Sequence, residues 1–514
     1  MRSERISILK VNLIFTMLIS IPVFSSAQNW EWVRQEGGTA GTENSNSIAT
    51  DPWSNCYIAG SIVGSNGFMS KYNSMGEFLW TKDLATSLES VTIDGTGKVY
   101  VTGKNNSHFI IAKLDSSGSL LWIKEAAQDS WGKSLSKDAY GNIYVTGTFS
   151  DTLQLDSFHL SEGSSFIAKY DSSGNCEWAK VASYGGYSNS ISTDAFGNAY
   201  VTGRFYGISS FGLFQLTCLG AVDIFIAKYD SGGNCLWAKR SGGARPFINS
   251  TMDNGYAVAT TIQGNVYVAG SFTDTATFGL DTLVNLGSGN DVFIAKYDGD
   301  GNIIWVKQAG GVIDDEGRCL AVDEEGNVYL GGSFVNSIAF GSATLIGYGN
   351  YDLFVAKLDA SGNSQWAISA GGPAWNEFVN GIALDASNDI VFTGEFCSPA
   401  FFGSDTLISA GQPDIYIAKL GNISGINEFS NFETVALFPN PSEDFINVQI
   451  QLHHAASISV ELFTISGQSL SQTNFKNQTG IANYFLDISK YPEGIYLMQI
   501  RGSQNFLTRK IIKQ

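Results

Sequence analysis

The sequence predicts an all-β protein: a seven-bladed β-propeller closed by its N-terminal strand, followed by a small immunoglobulin-like β-sandwich. Two strand-like motifs alternate along the chain, one of the type GNAYVTG (197–203) and one of the type FIAKYD (225–230), and each occurs seven times. The composition agrees with this pattern. With 57 glycines, 13% aromatic residues and only 15% charged residues, it favours strands joined by tight turns over helices.

Residues 1–27 are predicted to be a cleaved export signal. Arg2, Arg5 and Lys10 form its basic end, and residues 11–24 form an apolar stretch that is too short to span a bilayer stably. Small residues lead up to Ala27, after which we expect cleavage. The alternative is that this stretch forms a buried N-terminal strand. We expect no transmembrane segment elsewhere in the chain.

Residues 28–420 are predicted to form the propeller, from repeats of roughly 56 residues with four short strands each. Links of the type Asp-x-x-Gly-Asn join the strands and predict hairpin turns, because Asp caps such a turn and Gly takes its left-handed position. A calcium loop is the alternative, and DGDGN at 298–302 resembles one. That segment lacks the glycine and the distal glutamate of a calcium loop, so the sequence favours turns.

The last repeat lacks its tryptophan strand, because no tryptophan follows DIYIAKL at 414–420. The N-terminal segment Trp32-Val33-Arg34 matches the Trp-Ala-Lys of other repeats, and a Gly-Gly pair follows it as in three of them. We therefore expect this segment to be the outer strand of the last blade, so that no sheet edge stays open. The six other tryptophans of the motif are Trp80, Trp122, Trp178, Trp237, Trp305 and Trp366.

These repeats resemble the SBBP family of bacterial β-propeller repeats. The resemblance rests on the recurring D-x-x-G-N-x-Y-V-x-G and D-x-F-I-A-K motifs and on F-G…T-L loops, as at Phe278-Gly279 and Phe340-Gly341. It covers about three quarters of the chain and implies a propeller in an exported or exposed setting. The resemblance does not imply a common reaction.

Residues 421–433 are predicted to be a linker, and residues 434–514 to be a second domain of about seven short strands. This domain resembles the type A C-terminal sorting domain of the type IX secretion system. The resemblance implies export to the periplasm, then transport across the outer membrane by the secretion machinery, which would be its partner. The family domain is often removed afterwards as the product is attached to lipopolysaccharide; the alternative is an accessory adhesive sandwich. The matching residues are Pro439, Asn440, Pro441, Gly467, Gly494, Tyr496 and Lys510.

The net charge and the cysteine pattern disfavour nucleic-acid binding and metal binding. The formal net charge of −18 is typical of a soluble exported protein and disfavours nucleic acid as a partner. The six cysteines are scattered and show no metal-ligand spacing, although a Cys218–Cys235 bridge stays open as an alternative. We expect no cofactor and no metal site.

No catalytic constellation emerges from the sequence. The four histidines are His108, His159, His453 and His454, and they do not occupy equivalent repeat positions. Most acidic residues lie in the Asp-x-x-Gly turns, where a structural role is sufficient. We therefore predict a non-enzymatic binding or surface-structural protein, secreted or held at the outer cell surface; a secreted glycoside-active enzyme with a hidden carboxylate pair is the alternative.

The predicted binding face is built by the links from each tryptophan strand to the next blade. Its aromatic rings and carboxylates suit a glycan or a cationic peptide segment. We expect a narrow central channel and a poor pocket there, because the inner strands carry small residues such as SIST at 190–193. The alternative is that Trp131 and Trp375 only fill gaps between blades. The predicted residues are Trp131, Tyr184, Tyr187, Arg245, Phe247, Asp314, Asp315, Glu316, Trp375 and Glu377.

Overall fold

The computed structural model describes most of residues 30–421 and a large part of residues 432–513, and every regular element in them is a β-strand. The predicted export signal lies outside the described residues. No helix in the described parts of the chain is long and apolar enough to cross a membrane. The described ranges are 30–37, 42–64, 66–244, 253–373, 376–397, 399–403, 405–410, 413–421, 432–438, 442, 444–464, 469–501 and 506–513.

The first half of the repeat region begins with β1 (Trp30–Glu36) and continues as groups of four antiparallel strands. Group 1 contains β2 (Glu43–Thr50), β3 (Cys56–Ile62), β4 (Gly67–Tyr72) and β5 (Phe78–Ala85). Group 2 contains β6 (Ser87–Ile93), β7 (Val99–Asn105), β8 (His108–Leu114) and the start of β9 (Leu120–Lys137). Group 3 contains the end of β9, then β10 (Ile143–Phe149), a hairpin of β11 (Thr152–Leu155) and β12 (Phe158–Ser161), then β13 (Ser165–Tyr170) and β14 (Cys176–Ser183).

The second half repeats the same arrangement. Group 4 contains β15 (Gly186–Thr193), β16 (Ala199–Phe205), a hairpin of β17 (Ile208–Phe211) and β18 (Phe214–Thr217), then β19 (Asp223–Tyr229) and β20 (Cys235–Gly242). Group 5 contains β21 (Asn254–Thr260), β22 (Val266–Phe272), a hairpin of β23 (Thr275–Phe278) and β24 (Asp281–Val284), then β25 (Asp291–Tyr297) and β26 (Ile303–Ala309). Group 6 contains β27 (Asp315–Val322), β28 (Val328–Phe340), β29 (Ala343–Leu358) and β30 (Ser364–Ala370). Group 7 contains β31 (Gly381–Leu384), β32 (Ile390–Phe396), a hairpin of β33 (Ala400–Phe402) and β34 (Asp405–Leu407), and β35 (Asp414–Leu420).

The Asp-x-x-Gly-Asn links are turns, as the sequence predicts. Asp194 Oδ1 accepts hydrogen bonds from the backbone N–H groups of Phe196 and Asn198, each at 2.9 Å, and its Oδ2 accepts one from the Asn198 amide at 2.7 Å. Gly197 has a φ of 78°, a conformation that residues with a Cβ adopt at a cost. The carboxylate is therefore used to hold the turn.

The fourth strand of group 7 is β1, which pairs antiparallel with β35. Its register places Trp32 opposite Lys419. The same lysine–tryptophan pairing recurs in the other groups, for example Lys228 with Trp237. The N-terminal strand thus occupies the position that the tryptophan strand holds in groups 1 to 6.

The tryptophans connect each group to the next. Trp178 Nε1 donates to the carbonyl of Ser231 at 2.9 Å, and Trp32 Nε1 donates to that of Ser74 at 3.2 Å. The inner, first strands also contact one another in sequence, and β31 of group 7 contacts β2 of group 1. The hydrophobic clusters lie between neighbouring groups: one contains Trp178 of group 3 together with Val201 and Phe225 of group 4.

Residues 422–514 form a separate compact unit. Its described strands form one five-stranded sheet around a core that includes Val448, Val460, Leu462 and Met498. This differs from the expected seven or so short strands, because residues 445–464 form a single long strand with register shifts between Leu452 and Ile458. The strands are β36 (Phe432–Phe438), β37 (Phe445–Thr464), β38 (Ser469–Asp487), β39 (Gly494–Arg501) and β40 (Phe506–Lys513).

All six cysteines are free thiols, so the Cys218–Cys235 bridge is not formed. Cys218 Sγ contacts the carbonyl oxygen of Phe205 at 3.2 Å, and Cys235 Sγ contacts that of Trp237 at 3.4 Å. Burial raises the pKa of both thiols to about 12, so neither has the thiolate character of a reactive cysteine.

Candidate functional site

Each inner strand of groups 1 to 6 contains a β-bulge at the same repeat position. A bulge inserts one residue that has no partner opposite it and turns that side chain away from the regular pleat. Group 7 has a residue in the corresponding place, immediately before β31. These seven residues, called the bulge ring below, are Asn46, Glu89, Lys133, Asn189, Tyr256, Arg318 and Asn380.

The bulge ring lines an open cavity of about 670 Å³ at the centre of the seven inner strands. The expectation of a narrow channel is therefore wrong. The physical reason is that small neighbours such as Ser47, Ser134 and Ser190 leave space beside the bulge side chains instead of filling it. Two further acidic residues, Glu316 and Glu395, also line this cavity.

Part of the bulge ring holds neighbouring groups together. The Asn46 amide donates to the carbonyl of Leu88 at 2.8 Å, and the Asn189 amide donates to that of Gly255 at 3.0 Å. The Asn380 amide donates to the carbonyl of Ser45 at 3.1 Å, which links group 7 to group 1 in the same way. The three asparagines thus have a structural role that accounts for their presence.

The other bulge residues form a charged network along one wall of the cavity. Arg318 donates to Glu316 through Nη2 at 2.9 Å and to the Asn380 side chain through Nη1 at 3.2 Å. Asn380 also donates to Glu395 Oε1 at 3.1 Å, and the Tyr256 hydroxyl donates to Glu316 at 3.4 Å. Burial raises the pKa of Glu395 while the nearby Arg318 guanidinium opposes this shift. The wall therefore offers paired charges and hydrogen-bonding groups.

A second cavity of about 590 Å³ adjoins the first, because Asn46 and Glu89 line both. Trp131 lines this second cavity, with Lys133 Nζ 2.9 Å and Lys104 Nζ 3.8 Å from the centroid of its ring. Its indole Nε1 is buried without a hydrogen-bond partner. Burial lowers the pKa of Lys133, and the Glu89 carboxylate at 3.5 Å opposes this shift.

The residues of the predicted binding face, which is built by the links from each tryptophan strand to the next blade, do not all lie together in the structure. Tyr184 and Tyr187 lie on the surface with 50% and 43% of their area exposed, and Arg204 lies 5.3 Å over the Tyr187 ring. Asp314 Oδ1 accepts the backbone N–H of Asn290 at 2.9 Å, which is a local loop contact. Arg245, Phe247 and Trp375 lie outside the described residues.

Two residues of the predicted face, Asp315 and Glu377, are fully buried and not exposed to a ligand. The Gly-Gly pairs that precede them wrap around their carboxylates: the N–H of Gly311 donates to Asp315 at 2.6 Å and that of Gly372 to Glu377 at 3.2 Å. Glu316 is the acidic member of the predicted set that reaches the cavity.

The residues that carry the sorting-domain resemblance are only partly described. Tyr496 is buried on β39, and its hydroxyl donates to the carbonyl of Pro492 at 2.7 Å. Gly494 begins β39, and Lys510 lies on β40 opposite Leu497. Pro439, Asn440, Pro441 and Gly467 lie outside the described residues.

The bulge ring was not among the predicted site residues, because the inner strands were expected to carry only small residues. The signal was present in the repeats. Between positions that hold mostly Ser, Gly or hydrophobic residues, one position varies among Asn, Glu, Lys, Tyr and Arg. A position that changes chemically while its neighbours keep their type is the pattern expected of a site built on a repeated scaffold.

Comparisons with known proteins identify the C-terminal part of the chain. Residues 436–514 match the family described as "Secretion system C-terminal sorting domain". An uncharacterized WD repeat-containing protein of Acanthamoeba polyphaga mimivirus is 24% identical over 393 residues, or 60% of this chain and 28% of that protein. The chain spans between 22% and 28% of the length of the curated relatives it matches.

Two solved structures are similar to this chain. The Pan2 WD40 domain of Neurospora crassa is 9% identical with a TM-score of 0.44, over 77% of this chain and 95% of that one. BamB of Moraxella catarrhalis is 13% identical with a TM-score of 0.35, over 74% and 85% of the two chains. The resemblance of the repeats to the SBBP family in particular stays a prediction.

The strand pattern defines an all-β protein with a propeller-like repeat region and a separate C-terminal unit. That unit carries the C-terminal sorting domain of the type IX secretion system, so the chain is an exported protein, secreted or attached to the cell surface.

Proposed function

We propose that the seven groups are the blades of one closed ring, with β1 as the outer strand of the last blade. The cyclic contacts of the inner strands and the repeated Lys–Trp register, with Lys419 opposite Trp32, support this.

We also infer that the second unit is an immunoglobulin-like sandwich, because the register shifts in β37 let it pair with β36 at one end and β39 at the other. The proposed domain boundaries are 28–420 for the ring, 421–433 for the linker and 434–514 for the second unit, and β36 already begins at Phe432 near the end of that linker.

The ring is a binding module without turnover, and its ligand is a neutral, hydroxyl-rich molecule such as the end of a glycan. The observation that carries this proposal is the 670 Å³ cavity lined by the bulge ring. Its charges are already paired, Lys133 with Glu89 at 3.5 Å and Arg318 with Glu316 at 2.9 Å, so a charged ligand is not required to neutralise them. Sugar hydroxyls can donate to the carboxylates and accept from the cations and amides, while Tyr256 offers an apolar face.

A Lys133→Met variant tests this site. The substitution keeps most of the side-chain stem but removes the ammonium group that faces Glu89, so we expect at least about tenfold weaker binding of the glycan that the wild type selects from an array. Calorimetric titration of the full exported chain measures the change.

Lys82→Met is the matched control, since Lys82 is exposed on β5 and lines neither cavity. We expect its affinity to equal that of the wild type. Unchanged affinity in the Lys133 variant, with an unchanged melting temperature, would show that the ligand binds elsewhere.

Trp131 extends the proposed site to the link face, because it lines the adjoining cavity. A Trp131→Ala variant is expected to weaken glycan binding while Trp53→Ala, at a 61% exposed position, does not. If the Trp131 variant instead loses melting temperature and keeps its affinity, the residue only fills space between blades.

The glycoside-active alternative has one observation in its favour. Glu316 and Glu395 both line the cavity, and they differ in environment: Glu316 is ion-paired with Arg318, whereas burial raises the pKa of Glu395. Glycosidases use two carboxyl groups in different protonation states. Release of reducing sugar from a polysaccharide panel by the wild type, abolished in Glu395→Gln, would establish the enzyme and overturn the binding role without turnover.

A further inference from the structure

Buried carboxylates face each other across four of the seven boundaries between neighbouring blades. One member is the third-strand aspartate that lies two residues before the first aromatic residue of the FIAKYD-type motif. The other is the acid three residues before the bulge residue, or its equivalent, of the next blade. All eight residues are 7% exposed or less. The pairs are Asp223–Asp253, Asp291–Asp315, Asp352–Glu377 and Asp414–Glu43.

The first glycine of each Gly-Gly link lies against these carboxylates. A Cβ on Gly242 would lie 2.8 Å from Asp223 Oδ1 and 2.8 Å from Asp253 Oδ2. A Cβ on Gly37 would lie 2.7 Å from Asp414 Oδ1 and 2.7 Å from Glu43 Oε2. The bare backbone therefore lets the two carboxyl groups approach each other on one side of the link.

The two oxygens of each third-strand aspartate have different surroundings. Oδ2 is well satisfied: in Asp223 it accepts from the N–H of Leu219 and from Arg240, both at 2.9 Å. In Asp352 it accepts from the N–H groups of Tyr348 and Gly349 at 2.9 and 3.2 Å. The other oxygen, Oδ1, is buried without any hydrogen-bond partner in Asp223, Asp291, Asp352 and Asp414. A buried hydrogen-bond acceptor that is left unpaired costs free energy of folding. Because the same Oδ1 atom is unpaired in all four aspartates, we expect a hydrogen-bond donor at each of them.

The two positions change together within this one chain. At the three remaining boundaries the third-strand position holds Asn66, Ser107 or Ser164, and the inner-strand position then holds Thr86, Ser130 or Gly186. Two of these neutral pairs are joined by ordinary hydrogen bonds: the hydroxyl of Ser164 donates to the carbonyl of Gly186 at 2.9 Å, and the N–H of Ser130 donates to the carbonyl of Ser107 at 2.8 Å. An acid at one position always faces an acid at the other, although two bare carboxylates would repel each other.

We propose that each of the four carboxylate pairs holds one proton, shared between the unpartnered Oδ1 of the third-strand aspartate and the inner-strand acid of the next blade. The proton is the smallest ligand that turns the repulsion into a hydrogen bond. A calcium ion needs six to eight oxygens, and within the described residues no cluster of three or more acidic, histidine or cysteine side chains could hold a metal ion.

The environment of the inner-strand acids agrees with a bound proton. Burial raises the pKa of Asp253 to about 6, and that of Asp315 and Glu377 to about 8 each, with the facing aspartate adding to the shift in each case. Other charged or titratable groups also act on the pairs: Arg240 and Cys218 near Asp223, Asp314 near Asp315, and Cys397 and Tyr416 near Glu377, with Cys397 also near Asp414.

The sign of the pH dependence follows from these raised values. An acid with a raised pKa in the folded state binds more protons folded than unfolded between its two pKa values, so stability falls as pH rises through that window. The contribution of the pairs is complete below the ordinary carboxyl pKa near 4. It is lost progressively as pH rises from there to about 6 for Asp253 and to about 8 for Asp315 and Glu377. The contacts between blades are therefore expected to stabilise the fold most in acidic medium.

The test compares melting temperatures of the full exported chain from pH 5 to 9 with those of an Asp253→Asn, Asp315→Asn, Glu377→Gln triple variant. An amide donates to Oδ1 at every pH, so we expect the variant to melt higher than the wild type at pH 9. The wild type should lose roughly 2–4 °C per pair relative to the variant over this range. The control replaces three exposed acids, Asp281→Asn, Glu324→Gln and Asp405→Asn, and should follow the wild type.

Two results would overturn the proposal. Parallel melting curves of wild type and triple variant across the whole range would show that no proton is bound at the pairs. A melting temperature that calcium raises and a chelator lowers at pH 9, in the wild type but not in the variant, would show a cation in place of the proton. If the triple variant does not fold, the reciprocal Asp223→Asn, Asp291→Asn, Asp352→Asn variant carries the same test, since its amides donate to the inner-strand acids.

Discussion

Removing residues 28–36 is expected to lower the free energy of unfolding of the repeat region by several kcal/mol. The deletion removes β1, which pairs along its length with β35. It also removes Trp32 and Val33, which are 6% and 7% exposed, and loss of a buried tryptophan side chain alone costs about 3–5 kcal/mol. The edge of β35 that β1 covers then becomes open to pairing with other chains.

The loss of stability should be large because the side chains of β1 contact both group 1 and group 7. Glu36 accepts hydrogen bonds from Ser70 and Tyr72 of group 1, each at 2.6 Å, while Glu31 pairs with Lys419 of group 7 at 3.2 Å. Thermal unfolding of the purified chain measures the effect, and a synthetic peptide of residues 28–36 should restore part of it.

Two controls separate ring closure from general damage. Trp53→Ala changes an exposed tryptophan and should leave the melting temperature unchanged, whereas Trp32→Ala should reproduce much of the deletion. If the chain without residues 28–36 melts where the intact chain does, β1 does not close the ring, and the seven-bladed arrangement has to be abandoned.

The repeat region could be predicted in detail because its local signals agree with one another. The Asp-x-x-Gly-Asn turns, the apolar third strands and the tryptophan strands recur, and each repetition supports the same assignment. Even the pairing of Trp32 with Lys419 could be expected, since one motif was missing at the end of the repeats and one was left over at the start.

The candidate site could not be predicted in the same way, because it depends on side-chain direction. The β-bulges at Lys133 and Arg318 turn single residues into the cavity. The inserted residue shifts the alternation of the strand by one position, so the strand pattern alone does not show which side chains face inward. Asp315 and Glu377 were expected at an exposed face, yet both lie between blades. Burial of a carboxylate follows from its partner across the boundary, which lies more than twenty residues earlier in the chain.

Removing residues 434–514 is expected to stop export while leaving the repeat region folded. The deleted segment contains the sorting domain at 436–514, which is the part of the chain that the secretion machinery recognises in this class of protein. The repeat region forms its own compact unit up to Gly421, so we expect its core to form without the deleted strands. We expect nearly all of the truncated protein in the periplasm and a melting temperature of the repeat region equal to that in the full chain.

Cell fractionation with an antibody against the repeat region measures the distribution. As a control, residues 422–514 are fused to a reporter protein that normally stays in the periplasm. We expect this fusion to be transported across the outer membrane. Normal amounts of the truncated protein at the surface or in the medium would contradict the sorting role. Alternatively, the truncated protein could be degraded in the periplasm and melt at a lower temperature when purified. That result would show that the C-terminal unit stabilises the repeat region, and it would contradict independent folding of the two units.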